Sequence, residues 1–68
     1  SSSEIKQNRD LVVYCLKSQH ELSNRKIGDR FNLSYSAVSK IVTHFQNQLN
    51  NNVKLQRKLK YFNSQFKV

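Results

Sequence analysis

Leu22-Ser23-Asn24-Arg25-Lys26-Ile27-Gly28-Asp29-Arg30-Phe31-Asn32-Leu33-Ser34-Tyr35-Ser36-Ala37-Val38-Ser39-Lys40-Ile41-Val42-Thr43-His44-Phe45 is the stretch that decides the fold. It contains two helix starts built the same way. Ser23 and Ser34 are N-cap residues, whose hydroxyls take up an amide that a first turn leaves unpaired. Leu22 and Ile27 flank the first cap, and Leu33 and Val38 the second, each pair at the N′ and N4 spacing of a hydrophobic staple. Lys26 stands where a capping box needs Glu or Gln, so that box is absent. The spacing predicts helices over about 24–31 and 35–49, with a tight turn between them.

Inside this segment, Ile27 and Phe31 face a core from the first helix, Leu33 from the turn, and Val38, Ile41 and Val42 from the second helix. Gly28 falls where the two helices are expected to cross, and a side chain there would hold the axes apart. Asn32 ends the first helix, because Asn tolerates the left-handed conformation such turns require. Apolar, small, two free positions, apolar, turn residue, apolar, then apolar positions in the next helix is the helix-turn-helix pattern. Asn32 stands where that pattern usually has Gly. An αα-corner in an ordinary helical bundle is the alternative.

The rest of the chain fits the same architecture. It has 68 residues, no Pro and one Gly, which suits short loops and one all-α domain spanning 1–68. A first helix is expected from about Glu4 to Ser18, with Ser3 as its N-cap. Ile5, Val12, Cys15 and Leu16 supply its helical spacing. Leu11–Leu16 is apolar nearly all round, which suggests a helix covered on more than one side, with a buried strand as the competing reading. Asn50-Asn51-Asn52 is a polar break. A fourth helix is expected from about Val53 to Phe66, with Leu55, Leu59, Phe62 and Phe66 in one stripe. That stripe either closes the core against the first helix or forms a short coiled-coil seam. The expected fold is therefore all-α, a small four-helix domain containing a helix-turn-helix.

Charge points to a partner class. Lys and Arg total 12 against 4 Asp and Glu, for a net charge of +8. No acid follows Asp29. A field of one sign favours a polyanion, with nucleic acid as the first candidate. An anionic membrane surface is disfavoured, since the polar faces lack an apolar band. A basic protein-interaction module facing an acidic partner is the rival from another class, and a solvated basic face the bland reading.

Combined with the helix pattern, the charge makes double-stranded DNA the expected partner, read by the helix after the turn. A recognition helix enters the major groove by its N-terminal residues. With the core positions removed, Ser34, Tyr35, Ser36, Ser39, Lys40 and Thr43 are the expected base-contacting set. Hydroxyls serve several base edges, and Lys40 reaches guanine or a phosphate. Arg, Asn and Gln, which read bases most distinctly, are missing from the first turns, so modest or shape-based specificity is expected. Phosphate contacts are expected from Ser23, Asn24, Arg25 and Lys26 around the amides of the first helix of the pair, and from His44.

From Leu11 to about Leu49 the chain resembles the C-terminal DNA-binding domain of the bacterial chromosomal replication initiator, in the Trp-repressor-like superfamily. It looks at least as similar to the helix-turn-helix tail of the REP-associated, IS200-like transposases. The residues that carry the likeness are Leu22 to Phe31, with Lys26-Ile27-Gly28 at its centre, and Leu33 to Lys40, with Ser36-Ala37-Val38-Ser39-Lys40. The initiator has Asp-His-Thr-Thr before a Val where this chain has Ser34-Tyr35-Ser36-Ala37, which speaks against that protein's own target. The resemblance implies the DNA-targeting module of a larger protein, with any ATPase or transposase chemistry elsewhere. A free-standing transcriptional regulator is the alternative.

Other chemistry finds no support in the residues. His20 and His44 lie far apart, and a single Cys gives no zinc spacing. No nucleophile–base arrangement is suggested, so neither an enzyme, a cofactor nor a small-molecule substrate is expected. Cys15 alone cannot form an intrachain disulfide. It reads as core, consistent with a reducing setting. No apolar run approaches the ~20 residues of a membrane span, and no signal peptide is visible. A cytoplasmic, nucleoid-associated protein is the expectation.

Overall fold

The computed structural model describes residues 2–65, with side chains from Ser3 onward. Four helices follow one another: α1 Ser2–Ser18, α2 Asn24–Phe31, α3 Tyr35–Leu49 and α4 Val53–Gln65. There is no strand among the described residues. Phe66, the expected end of the last helix and of its stripe, lies outside them.

The caps form as the spacing predicts. Ser23 Oγ accepts from Lys26 N–H at 3.2 Å, and Ser34 Oγ accepts from Ala37 N–H at 3.1 Å. Asn52 does the same for α4, its Oδ1 accepting from Leu55 N–H at 2.9 Å. The start of α1 differs from expectation. Ser3 lies inside the helix, which begins at Ser2. Ile5, expected on the apolar stripe, is 70% exposed. Ile5 faces solvent, while Gln7, about half a turn on, meets Lys58 of α4.

The core has two parts. Val13, Ile27 and Val38 form one cluster, with Leu16, Leu22, Phe31, Leu33, Ile41 and Val42 packed around it. Both staple pairs belong to this cluster. Leu11, Phe45, Leu49 and Leu55 form the other, with Tyr14, Leu59 and Phe62 against it. Leu11, Val13 and Cys15 are buried and Val12, Tyr14 and Leu16 half-buried, as a helix covered on more than one side requires. α4 thus closes the core through Leu55, Leu59 and Phe62, and the strand reading of 11–16 falls. Polar ties cross the same seams. Tyr14 Oη donates to Gln46 Oε1, and Cys15 Sγ donates to Asn63 Oδ1 at 2.7 Å. Burial pushes the Cys15 thiol up, which keeps it protonated and able to donate.

The turn between α2 and α3 is built on two backbone features. Asn32 is left-handed, at φ 57 and ψ 47, and Leu33 N–H donates to Gly28 O at 2.8 Å. This is the Schellman arrangement, in which the residue after the left-handed one folds back on the helix and its side chain packs beneath. Leu33 does so, joining Ile27 in the core. Asn32→Gly should therefore be neutral or stabilising by a few tenths of a kcal/mol. Asn32→Val should cost about 1–2 kcal/mol, since a β-branched side chain is disfavoured at positive φ. Chemical denaturation of the two variants checks the order, and equal stabilities would contradict a left-handed Asn32.

Gly28 corrects one expectation. A Cβ built there approaches the Leu33 carbonyl oxygen to less than 3.0 Å, while the nearest atom of α3, Val38 Cγ2, is 3.8 Å away. The residue is small because the turn backbone lies across it. The distance between the helix axes is a lesser constraint.

Candidate nucleic-acid interface

The residues of α3 that point away from the core follow from its helical period. Val38, Phe45 and Leu49 are buried. On the opposite side Ser36, Lys40, Thr43 and Asn47 recur at four, three and four residues, with Ser39 and His44 beside them, all exposed. Tyr35 projects at the N-terminal end, 67% exposed. Ser34 is exposed too, although its Oγ already serves as the cap. The six residues expected to contact bases are thus all on the surface. Five lie on one side of α3 or at its start, and Tyr35 lies nearer the core edge of the same end.

Asn47 is the residue that the sequence reasoning passed over. It continues the stripe of Ser36, Lys40 and Thr43, and its amide is of the type that pairs with adenine. The signal was present in the spacing.

The expected phosphate-contacting set divides. Arg25 and Lys26 are exposed on α2, as is Ser23 at its cap. His44 is exposed on α3 and shares a shallow polar groove with Lys6 and Asp10. Asn24 departs from expectation: it is 7% exposed, and its Oδ1 is buried without a hydrogen-bond partner. Its carboxamide oxygen is turned inward, which leaves N–H groups as its means of meeting an anion. Asn24 sits at the first helical position, where the α2 period puts it on the same side as Ile27 and Gly28.

The local electrostatics suit an anion on most of this surface. α3 carries no acidic residue. Asp29 shares the outer face of α2 with Arg25 and Lys26 and offsets part of their field. Asp10 is engaged at 2.9 Å by Arg9. Among the described residues no group of three or more His, Cys, Asp or Glu gathers as a metal site, and no helix is long and apolar enough to cross a membrane. The apolar pocket lined by Val12, Cys15, Leu16, His20 and Phe62 has a volume of ≈ 120 Å³, small against the usual range of ligand sites. Compared with family models, with curated proteins and with solved structures, the chain matches none.

Proposed function

We propose that the protein binds duplex DNA, with α2 and α3 acting as a helix-turn-helix and α3 lying in the major groove. The observation that carries this reading is the outer face of α3. It is exposed, free of acids, and lined mainly by hydroxyls and one lysine, with Asn47 and His44 further along, and it follows a three-residue turn after a short helix with basic residues at its start. A helix face with no structural duty and no acid can approach phosphates and base edges without an electrostatic cost. The net charge of +8 supplies the long-range attraction, and such a field speeds encounter with a polyanion. The residues from Leu22 to Lys40 that resemble the initiator and transposase modules support the same reading. By that resemblance the domain would target a larger replication-initiator-like or transposase-related protein to DNA.

Within the interface, Ser36, Ser39, Lys40 and Thr43 are assigned to the groove, with Ser34 and Tyr35 at its entrance. Ser23, Arg25, Lys26 and His44 are assigned to phosphates. Fluorescence anisotropy with random duplex DNA over a salt series tests the whole. Log K should fall with log salt with a slope of roughly −3 or steeper, since each phosphate neutralised contributes about −0.9. Absence of binding at low salt would sink the reading. Lys40→Ala should weaken binding roughly tenfold, within the range of about 1–3 kcal/mol for a groove contact. An unchanged affinity for that variant would remove α3 from the interface.

A further inference from the structure

α4 is amphipathic in an unusual way. Its inner edge is Leu55, Leu59 and Phe62, flanked by half-buried Lys58 and Asn63. Both flanking residues are engaged: Lys58 Nζ donates to Gln7 Oε1 at 3.0 Å, and Asn63 accepts from Cys15. The outer edge carries Val53, Arg57, Lys60, Tyr61 and Ser64, with Lys54 beside them, all exposed. Tyr61 is 69% exposed. Among the described residues no ion pair engages Lys54, Arg57 or Lys60.

This arrangement works against the helix that bears it. Lys54 and Arg57, and Arg57 and Lys60, are like charges three residues apart, which repel on a helix surface. The first turn has a lysine and no acid, and the last turn has no base, the reverse of what the helix dipole favours. α1 and α2 carry acids among their cations, whereas α4 carries none. A face that local physics disfavours in the free chain is one that a polyanion would relieve. The three cations span about 9 Å of helix rise, comparable with about three phosphate steps along one DNA strand. Tyr61 stands among them with a hydroxyl that can donate to a phosphate oxygen.

From this placement we infer that the outer face of α4 is a second contact surface, for the sugar–phosphate backbone of duplex DNA, separate from the groove face of α3. The inference rests on the DNA-binding reading. Its contacts are electrostatic and carry no base preference, so they add affinity and salt dependence only.

The test uses the full chain and random duplex DNA of at least 30 base pairs, in a salt series. Arg57→Gln/Lys60→Gln should reduce the slope of log K against log salt by about 1.8, which at 0.15 M salt is roughly a 30-fold loss of affinity. Gln is a good helix former at exposed positions, so the helix is retained, as circular dichroism would verify. Lys17→Gln, which removes an exposed cation of α1, should change the slope by less than 0.4, on the scale of about 0.9 per phosphate contact. A double variant that keeps helix and binding but has an unchanged slope overturns the inference and leaves the α3 reading standing. So does an equal loss per charge from Lys17→Gln, which would assign the effect to net charge. Binding of the unmodified chain to poly-glutamate as tight as to DNA at equal charge would assign the face to an acidic protein instead. Failure of the unmodified chain to bind duplex DNA at all overturns both.

Discussion

Replacing Phe45 by Ala should leave the chain largely unfolded at 37 °C. Phe45 is 1% exposed and lies at the centre of the cluster that joins α1, α3 and α4. Its ring centroid is 4.9 Å from that of Tyr14, in a tilted arrangement, which adds to the burial term. Truncating a buried Phe to Ala costs about 3–5 kcal/mol, partly through transfer and partly through the cavity left behind. A chain of this length has a total stability on the order of 3–10 kcal/mol. The loss is therefore most of what the fold has. Thermal unfolding followed by circular dichroism should show a Tm lower by about 15 °C or more, at about 4–8 °C per kcal/mol for a domain of this size. Phe45→Leu, which keeps most of the volume, should lose much less. A shift under about 5 °C for Phe45→Ala would mean that α4 and α1 do not close over this side chain.

Gly28→Ala should also destabilise, and here the sign is the informative part. In a helix interior open to solvent, Gly to Ala gains about 0.5–1 kcal/mol. At Gly28 the new methyl would meet the Leu33 carbonyl oxygen, a backbone atom fixed by the bond from Leu33 N–H back to Gly28 O. Neither group can rotate out of the way. Overpacking of this kind costs about 1–3 kcal/mol, which outweighs the gain in propensity. A net loss of about 1–2 kcal/mol is expected in urea denaturation. Gly28→Val should lose more and, if folded, should bind DNA poorly, because the orientation of α3 on α2 depends on this turn. A Gly28→Ala variant more stable than the parent would show that the turn does not lie across α2 as described.

Much of this arrangement is legible in the residues, and the reasons differ from place to place. Ser23 and Ser34 mark helix starts because capping is a local matter, settled within four residues. Leu22/Ile27 and Leu33/Val38 are legible for the same reason. Asn32 is legible because few other residues suit a left-handed position. Ile5 is exposed although its spacing suits the stripe, since helical spacing names a face and does not say whether a neighbour covers it. Gly28 was correctly singled out but for a different contact, because the Leu33 backbone reaches it through chain geometry that no spacing rule encodes. Asn24 lies on the side of α2 that buries Ile27 and Gly28, yet a polar residue at a helix start reads as exposed. The ties from Tyr14 to Gln46 and from Cys15 to Asn63 span 32 and 48 residues, separations over which sequence pattern carries no pairing information. The candidate interface was legible for α3, where a single period separates inner from outer residues, and less so for α4, whose apolar stripe left open whether it closed the core or paired with a partner.

The position of α1 has a consequence for how the domain comes apart. Leu11 and Tyr14 belong to one half of the core, and Val13 and Leu16 to the other. This stretch of α1, together with α3, which gives Val38 to one cluster and Phe45 and Leu49 to the other, is thus the common wall of both. Had the two clusters drawn on different helices, the α2–α3 pair and the α4 layer could melt as separate cooperative units. With a shared wall, fraying of either half strips contacts from the same backbone segment and weakens the other. The unfolding of this chain should consequently be all-or-none, with hydrogen exchange finding its last protected amides in the middle of α1 and of α3.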